Sequence, residues 1–151
     1  MDVDGVLTDG TVWLDDTGRE TKAVSFADIM GVSLGRRAGL RFALVSGEGG
    51  PSLDRIAAKF GVTEVYRDCK DKAGAIRDFA ARHDLELAEV CFIGDDVNDV
   101  PALEICGLAV APASAHSAAS AIASMVTSKS GGAGSVREVI DYLLSDAENR
   151  R

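Results

Sequence analysis

Two carboxylates stand close together at the start of the chain, in Asp2-Val3-Asp4-Gly5. In an extended segment Val3 points away from them, so both acids can enter one pocket, one from its floor and one from its rim. The glycine after them lets the backbone turn sharply beside a ligand. One carboxylate of such a pair can attack phosphorus while the other protonates the leaving group and later takes a proton from water. An ordinary acidic turn would carry the same residues, so the motif acquires meaning only from its surroundings. Three further stations supply those surroundings. Ser46-Gly47 offers a hydroxyl and a backbone N–H to a phosphoryl oxygen. Lys72, at a predicted helix start, offers a cation. Gly94-Asp95-Asp96-Val97-Asn98-Asp99 offers hard oxygen ligands suited to Mg²⁺.

Each later station follows a predicted strand. Short apolar runs at Phe42–Val45, Thr63–Tyr66, Val90–Ile93 and Leu108–Val110 alternate with helical patterns, the signature of βαβ units around a parallel sheet. Leu53, Ile56, Ala57 and Phe60 share one helix face, with Pro51 near its start and Gly61 just past its end. Asp71 can cap a second helix carrying Ala73, Ile76, Phe79 and Ala80. Val136, Val139, Ile140 and Leu143 mark a third. The expected fold is α/β, an open, mostly parallel sheet with helices on both faces and the stations at the C-terminal ends of its strands, where open sheets bind ligands. Thr11–Leu14 and Thr21–Val24 flank the turn-forming Asp15-Asp16-Thr17-Gly18, which predicts a projecting β-hairpin over about residues 11–24. Residues 1–151 read as one domain, with no interdomain linker and one Gly/Ser-rich stretch at Ser128–Ser135.

Twenty-four acidic against sixteen basic residues give a formal charge of −8, which disfavours nucleic acid and anionic membrane as partners. No apolar run is long enough to span a bilayer and no leader pattern opens the chain, so a cytoplasmic protein is expected. Cys69, Cys91 and Cys106 form no CxxC pair and read as reduced; His83 and His116 read as surface or helix-end residues.

The ordered set of DxD, a hydroxyl residue after a strand, Lys, and GDDxxD resembles the four motifs of the haloacid dehalogenase superfamily over nearly the whole chain. The resemblance makes Asp2 the nucleophile, Asp4 the general acid/base, and Ser46 and Lys72 the phosphate binders. It also implies that Mg²⁺ is held by Asp2, Asp4 through its backbone carbonyl, and Asp95, with Asp99 assisting from the same loop. The string DVDGVLTDG, a hairpin in place of a cap domain, and Gly131-Gly132-Ala133-Gly134-Ser135-Val136-Arg137-Glu138 are similar to the capless branch containing 3-deoxy-D-manno-octulosonate 8-phosphate phosphatases, 2-keto-3-deoxynononate 9-phosphate phosphatases and acylneuraminate cytidylyltransferase C-terminal domains.

That branch implies a Mg²⁺-dependent phosphatase of a small keto sugar acid phosphate, working through an aspartyl-phosphate. It also implies a homotetramer in which a neighbour's hairpin or Gly131–Gly134 loop excludes water from Asp2. Glu48 after Gly47, with Lys59 further on, resembles the nine-carbon enzymes and leans the substrate that way; the alternative is a solvated loop residue and a helix-end charge. The branch's Arg-Asp-Gly becomes Ala27-Asp28-Ile29 here, losing a cation while Asp28 and Gly31 remain. Relatives carry an apolar strand before the nucleophile, whereas Met1 alone precedes Asp2 here, so fraying is expected at the centre of the sheet. Two rival readings are a non-catalytic oligomerisation module associated with a cytidylyltransferase and a receiver domain. The retained acids oppose the first, and Ser46 in the place of a phospho-acceptor opposes the second.

Overall fold

The computed structural model describes residues 1–149. A hairpin of β1 (Trp13–Leu14) and β2 (Glu20–Thr21) leads into α1 (Phe26–Arg37), β3 (Ala43–Val45), α2 (Pro51–Phe60) and β4 (Glu64–Tyr66). There follow α3 (Lys72–Arg82), β5 (Cys91–Ile93), α4 (Val100–Leu103), β6 (Leu108–Ala111), α5 (Ser117–Ile122), β7 (Met125–Val126) and α6 (Ser135–Asn149).

β3 pairs with β4, and β5 with β6 and then β7, all parallel. Met1 and Asp2 join the two halves. The Met1 nitrogen donates to the Ala43 carbonyl at 3.0 Å and the Val45 N–H donates to the Met1 carbonyl at 2.9 Å, while on the other side the Asp2 N–H donates to the Ile93 carbonyl at 2.9 Å. This is the slanted bonding of parallel neighbours. The spatial order is therefore β4, β3, residues 1–2, β5, β6, β7, and the expected fraying at Asp2 is replaced by a backbone bonded on both sides.

Helices cover both faces, as the apolar periods predict. Val32 of α1, Leu53, Ile56 and Phe60 of α2, and Val136, Val139 and Ile140 of α6 pack with Val3, Leu44, Ile93 and Val110. On the opposite face Ile76 and Ala80 of α3, Leu103 of α4 and Ala119 of α5 pack with Val45, Phe92 and Ala109. Phe92 is wholly enclosed, and burying a side chain of that size contributes about 1.5–3 kcal/mol. The start and stop signals of α2 act as read, with Pro51 in its first turn and Gly61 closing its end. Asp71 caps α3 by accepting the Gly74 N–H at 2.8 Å.

α1 is absent from the sequence reading because its buried positions are Asp28, Gly31, Val32 and Gly35 while Phe26 and Met30 are exposed, so it carries no apolar stripe. It lies against α6 through small residues: a Cβ on Gly31 would come within 3.0 Å of the Arg137 Cα. The buried Asp28 carboxylate accepts the Gly134 N–H at 3.1 Å and the Arg137 N–H at 2.9 Å, satisfying the first turn of α6.

The hairpin forms within its predicted bounds, but its ladder is only Trp13 with Thr21 and Leu14 with Glu20. The Asp15 carboxylate closes the turn by accepting the Thr17 and Arg19 N–H groups, both at 2.9 Å. No cap domain interrupts the described elements. Among the described residues no helix is long and apolar enough to cross a membrane.

Candidate active site

The loop after Asp2 is held by short polar links. The buried Thr8 hydroxyl accepts the Gly5 N–H at 3.3 Å and the Gly10 N–H at 3.2 Å, which winds Asp4–Gly10 into a tight turn. Gly5 adopts φ +86°, and a Cβ there would strike the Asp95 carboxylate. This position therefore needs glycine both for its backbone and for the space beside it. Gly131 and Gly132 close on the same loop: the Gly132 N–H donates to the Val6 carbonyl at 2.9 Å, and a Cβ on Gly132 would lie 2.6 Å from the Asp9 nitrogen. The stretch expected to reach a neighbour's Asp2 is thus seated on its own chain, where the close backbone approach excludes a side chain.

Asp2, Lys72, Asp95 and Asp99 converge at the C-terminal ends of the strands. The Lys72 ammonium lies 3.0 Å from Asp2 Oδ1 and 2.6 Å from Asp99 Oδ1, with all three side chains buried. The other Asp99 oxygen accepts the Asp95 N–H at 2.8 Å and the Asp96 N–H at 3.2 Å, so Asp99 binds the cation and shapes the loop that carries Asp95. A Cβ on Gly94 would come within 2.6 Å of the Asp99 Cβ, which leaves room only for glycine. Carboxylate oxygens of Asp2, Asp95 and Asp99 lie within 4.8 Å of one another. An all-oxygen donor set of this charge fits a hard divalent cation such as Mg²⁺.

Burial, reinforced by the nearby Asp99 charge and opposed by Lys72, pushes the Asp2 carboxyl up to about 7. Burial and the same neighbour push Asp95 up to about 6. Burial pulls on Lys72 in the opposite direction, but Asp2 and Asp99 outweigh it, and the ammonium is held above its ordinary range. The cluster has more negative than positive charge in a poorly solvated place, which a cation would relieve.

Asp4 stands at the rim, with Lys22 from the end of the hairpin 2.7 Å from its Oδ1. Ser46 is buried directly after β3 and accepts the Glu48 N–H at 3.1 Å, leaving its own hydroxyl proton to donate. Gly47 lies beside Lys70 and Asn98: a Cβ there would make ordinary contact, 3.9 Å from Lys70 Nζ and 4.0 Å from Asn98 Nδ2. Glu48 is exposed beside it. Lys59 is elsewhere, at the end of α2, with its ammonium 5.2 Å from the centre of the Phe26 ring. It lines a groove of about 960 Å³ between the hairpin and α2, together with Arg19, Lys22 and Arg55.

Sequence reasoning therefore found every acid of the cluster and Lys72 but passed over Lys22, Lys70, Asn98 and Thr8. The hydroxyl in DVDGVLTDG is the one available signal for Thr8, and Asn98 lies within the Gly94–Asp99 string, whereas Lys22 and Lys70 are single basic residues with no motif around them.

Known proteins share both the sequence and the arrangement. The haloacid dehalogenase-like hydrolase family matches residues 48–140. The 3-deoxy-D-manno-octulosonate 8-phosphate phosphatase of Escherichia coli K12 is 35% identical over 144 residues, which are 95% of this chain and 77% of that protein. The same-named phosphatase of Moraxella catarrhalis, solved in complex with magnesium ion, phosphate ion and a KDO molecule, superposes with a TM-score of 0.92 at 30% identity, covering 99% of this chain and 89% of that one. The cobalt-bound deoxy-D-mannose-octulosonate 8-phosphate phosphatase of Haemophilus influenzae gives 0.91 at 33% identity over 95% of this chain and 84% of that one. With its DxD loop, buried lysine and acidic loop in the same fold, the chain belongs to the haloacid dehalogenase-like hydrolases and is a phosphoric monoester hydrolase.

Proposed function

We propose that this phosphatase removes phosphate from an eight-carbon keto sugar acid, using Mg²⁺ and an aspartyl-phosphate on Asp2. The observation that carries this reading is the buried Asp2–Lys72–Asp99 cluster with Asp95 beside it and Asp4 at its rim. Asp2 supplies the attacking oxygen, and Asp4 protonates the sugar oxygen as it leaves, then takes a proton from water. Lys72, the Ser46 hydroxyl and the Gly47 N–H bind phosphoryl oxygens. Asp2, Asp95 and the Asp4 carbonyl would hold Mg²⁺, with Asp99 behind them. When bound, the metal offsets repulsion between an anionic nucleophile and an anionic phosphate.

The relatives named above favour the eight-carbon ester. The nine-carbon ester keeps one support, the groove in which Lys59, Arg55 and Arg19 lie beside Lys22 and hence near Asp4. With no cap domain among the described residues, we also propose a homotetramer in which hairpins complete neighbouring sites. Trp13 and Leu14, 70% and 66% exposed, give each hairpin an apolar surface to bury.

Phosphate release from 3-deoxy-D-manno-octulosonate 8-phosphate and 2-keto-3-deoxynononate 9-phosphate, measured on chelated protein with Mg²⁺ added back, tests the proposal. Turnover should require the metal, favour the eight-carbon ester in kcat/KM, vanish in Asp2→Asn and need more Mg²⁺ in Asp95→Ala. Metal-independent turnover, or no turnover of either ester, rules it out.

A further inference from the structure

Lys22 has a place in this site that no motif announces. It directly follows β2, and its ammonium reaches back across the hairpin to Asp4 Oδ1 at 2.7 Å. Its side chain is 10% exposed and that of Asp4 35%. A surface ion pair would contribute little, but an ammonium this far out of water needs a fixed counter-charge, and Asp4 is its only charged partner within reach among the described residues. Asp4 Oδ2 makes no hydrogen bond among the described residues, so the contact orients the carboxylate while leaving one oxygen for proton transfer.

We infer that Lys22 is a positioning residue for Asp4, holding the carboxylate in place during the interval between the two chemical steps. The inference rests on the role given to Asp4 above. In the first step Asp4 carries its proton on Oδ2 while Oδ1 still accepts from Lys22; an Asp2 oxygen bonds to phosphorus, the phosphorus–sugar oxygen bond breaks, and the leaving oxygen takes that proton. Asp4 is then an anion, and the Lys22 ammonium is its partner. In the second step a water oxygen bonds to phosphorus and its proton passes to Asp4. The phosphorus–Asp2 bond breaks with its electron pair returning to the carboxylate, and phosphate departs. Lys22 keeps all its protons throughout. Its greatest effect falls on the second step, which begins from ionised Asp4 and needs that oxygen aimed at water.

The test uses full-length wild type, Lys22→Met and Lys22→Arg with the eight-carbon ester and Mg²⁺, reading steady-state kinetics and, after acid quench, the phosphorylated fraction by intact mass. Lys22→Met should lose about 10- to 100-fold in kcat, part of the ~10²- to 10⁴-fold that general acid/base catalysis contributes. KM should change by less than about threefold, since ground-state binding is spared. The phosphorylated fraction should rise above that of wild type, and Lys22→Arg should recover part of the rate. Unchanged kcat, or a loss carried by KM, or a loss with no build-up of phosphorylated enzyme would each overturn the inference. Should Lys22→Met fail to fold, the phosphorylated fraction of Lys22→Gln decides by the same criteria. A wild-type enzyme that turns over through Asp2 while the variants match it removes Lys22 alone; one that never carries phosphate on Asp2 removes the underlying reading as well.

Discussion

At the scale of single residues, Lys72 faces two buried carboxylates while Asp95 adds a third close by. The folded Asp2 carboxyl sits near 7 against 3.8 in the unfolded chain, for the burial and Asp99 repulsion already described. A carboxyl raised on folding contributes its stability below its unfolded value and loses it as pH rises toward the folded one. Metal-free Asp2→Asn should therefore melt above metal-free wild type at pH 8, by roughly 3 °C or more for a chain of this length, and the gap should close toward pH 4. A gap independent of pH would refute this account of Asp2. Mg²⁺ should raise the wild-type melting point more at pH 8 than at pH 5, as more ligand charge is then present to neutralise. The acids were legible in the sequence because their spacing and order are distinctive. Lys22 was not, because its meaning comes from a hairpin folding back on Asp4, and nothing in a lone lysine records that return.

Among the elements, α2 and α3 were readable because apolar period and end signals agreed: Pro51 and Gly61 bracket one, and Asp71 caps the other. α1 was hidden by the chemistry of its packing, which uses Asp28, Gly31 and Gly35 in place of a leucine stripe. β7 spans only Met125–Val126, too short for any period to show. The concealed helix has a clear energetic role. Asp28→Ala would orphan the Gly134 and Arg137 N–H groups in the interior, and losing such a cap costs about 0.5–2 kcal/mol, with more where donors stay dry. Urea unfolding should show a lower midpoint with unchanged slope. Phosphatase activity should fall too, because Gly131 and Gly132 adjoin the capped turn and press on the Asp4–Asp9 loop. A midpoint equal to wild type would show that Asp28 does not hold α6.

For the molecule as a whole, the hairpin's two-residue strands and exposed Trp13 make it a poor solitary element. If the proposed tetramer forms, Trp13→Glu should shift the protein to smaller species in light scattering and lower kcat together, since the hairpin proposed to dock also carries Lys22. A fully active wild-type monomer would contradict intersubunit capping. The central rung of the sheet, residues 1–2 between β3 and β5, has a separate consequence in time. Asp2 finds its backbone partner at Ile93 and its side-chain neighbours at Lys72 and Asp99, all far along the chain. Contacts so distant in sequence close late, after the intervening segments have given up their freedom. A polypeptide still emerging from the ribosome with Lys72 unmade thus carries Asp2 without that ammonium, the Asp95–Asp99 loop or β5, so the proposed nucleophile acquires its surroundings only once those later segments have been added and folded.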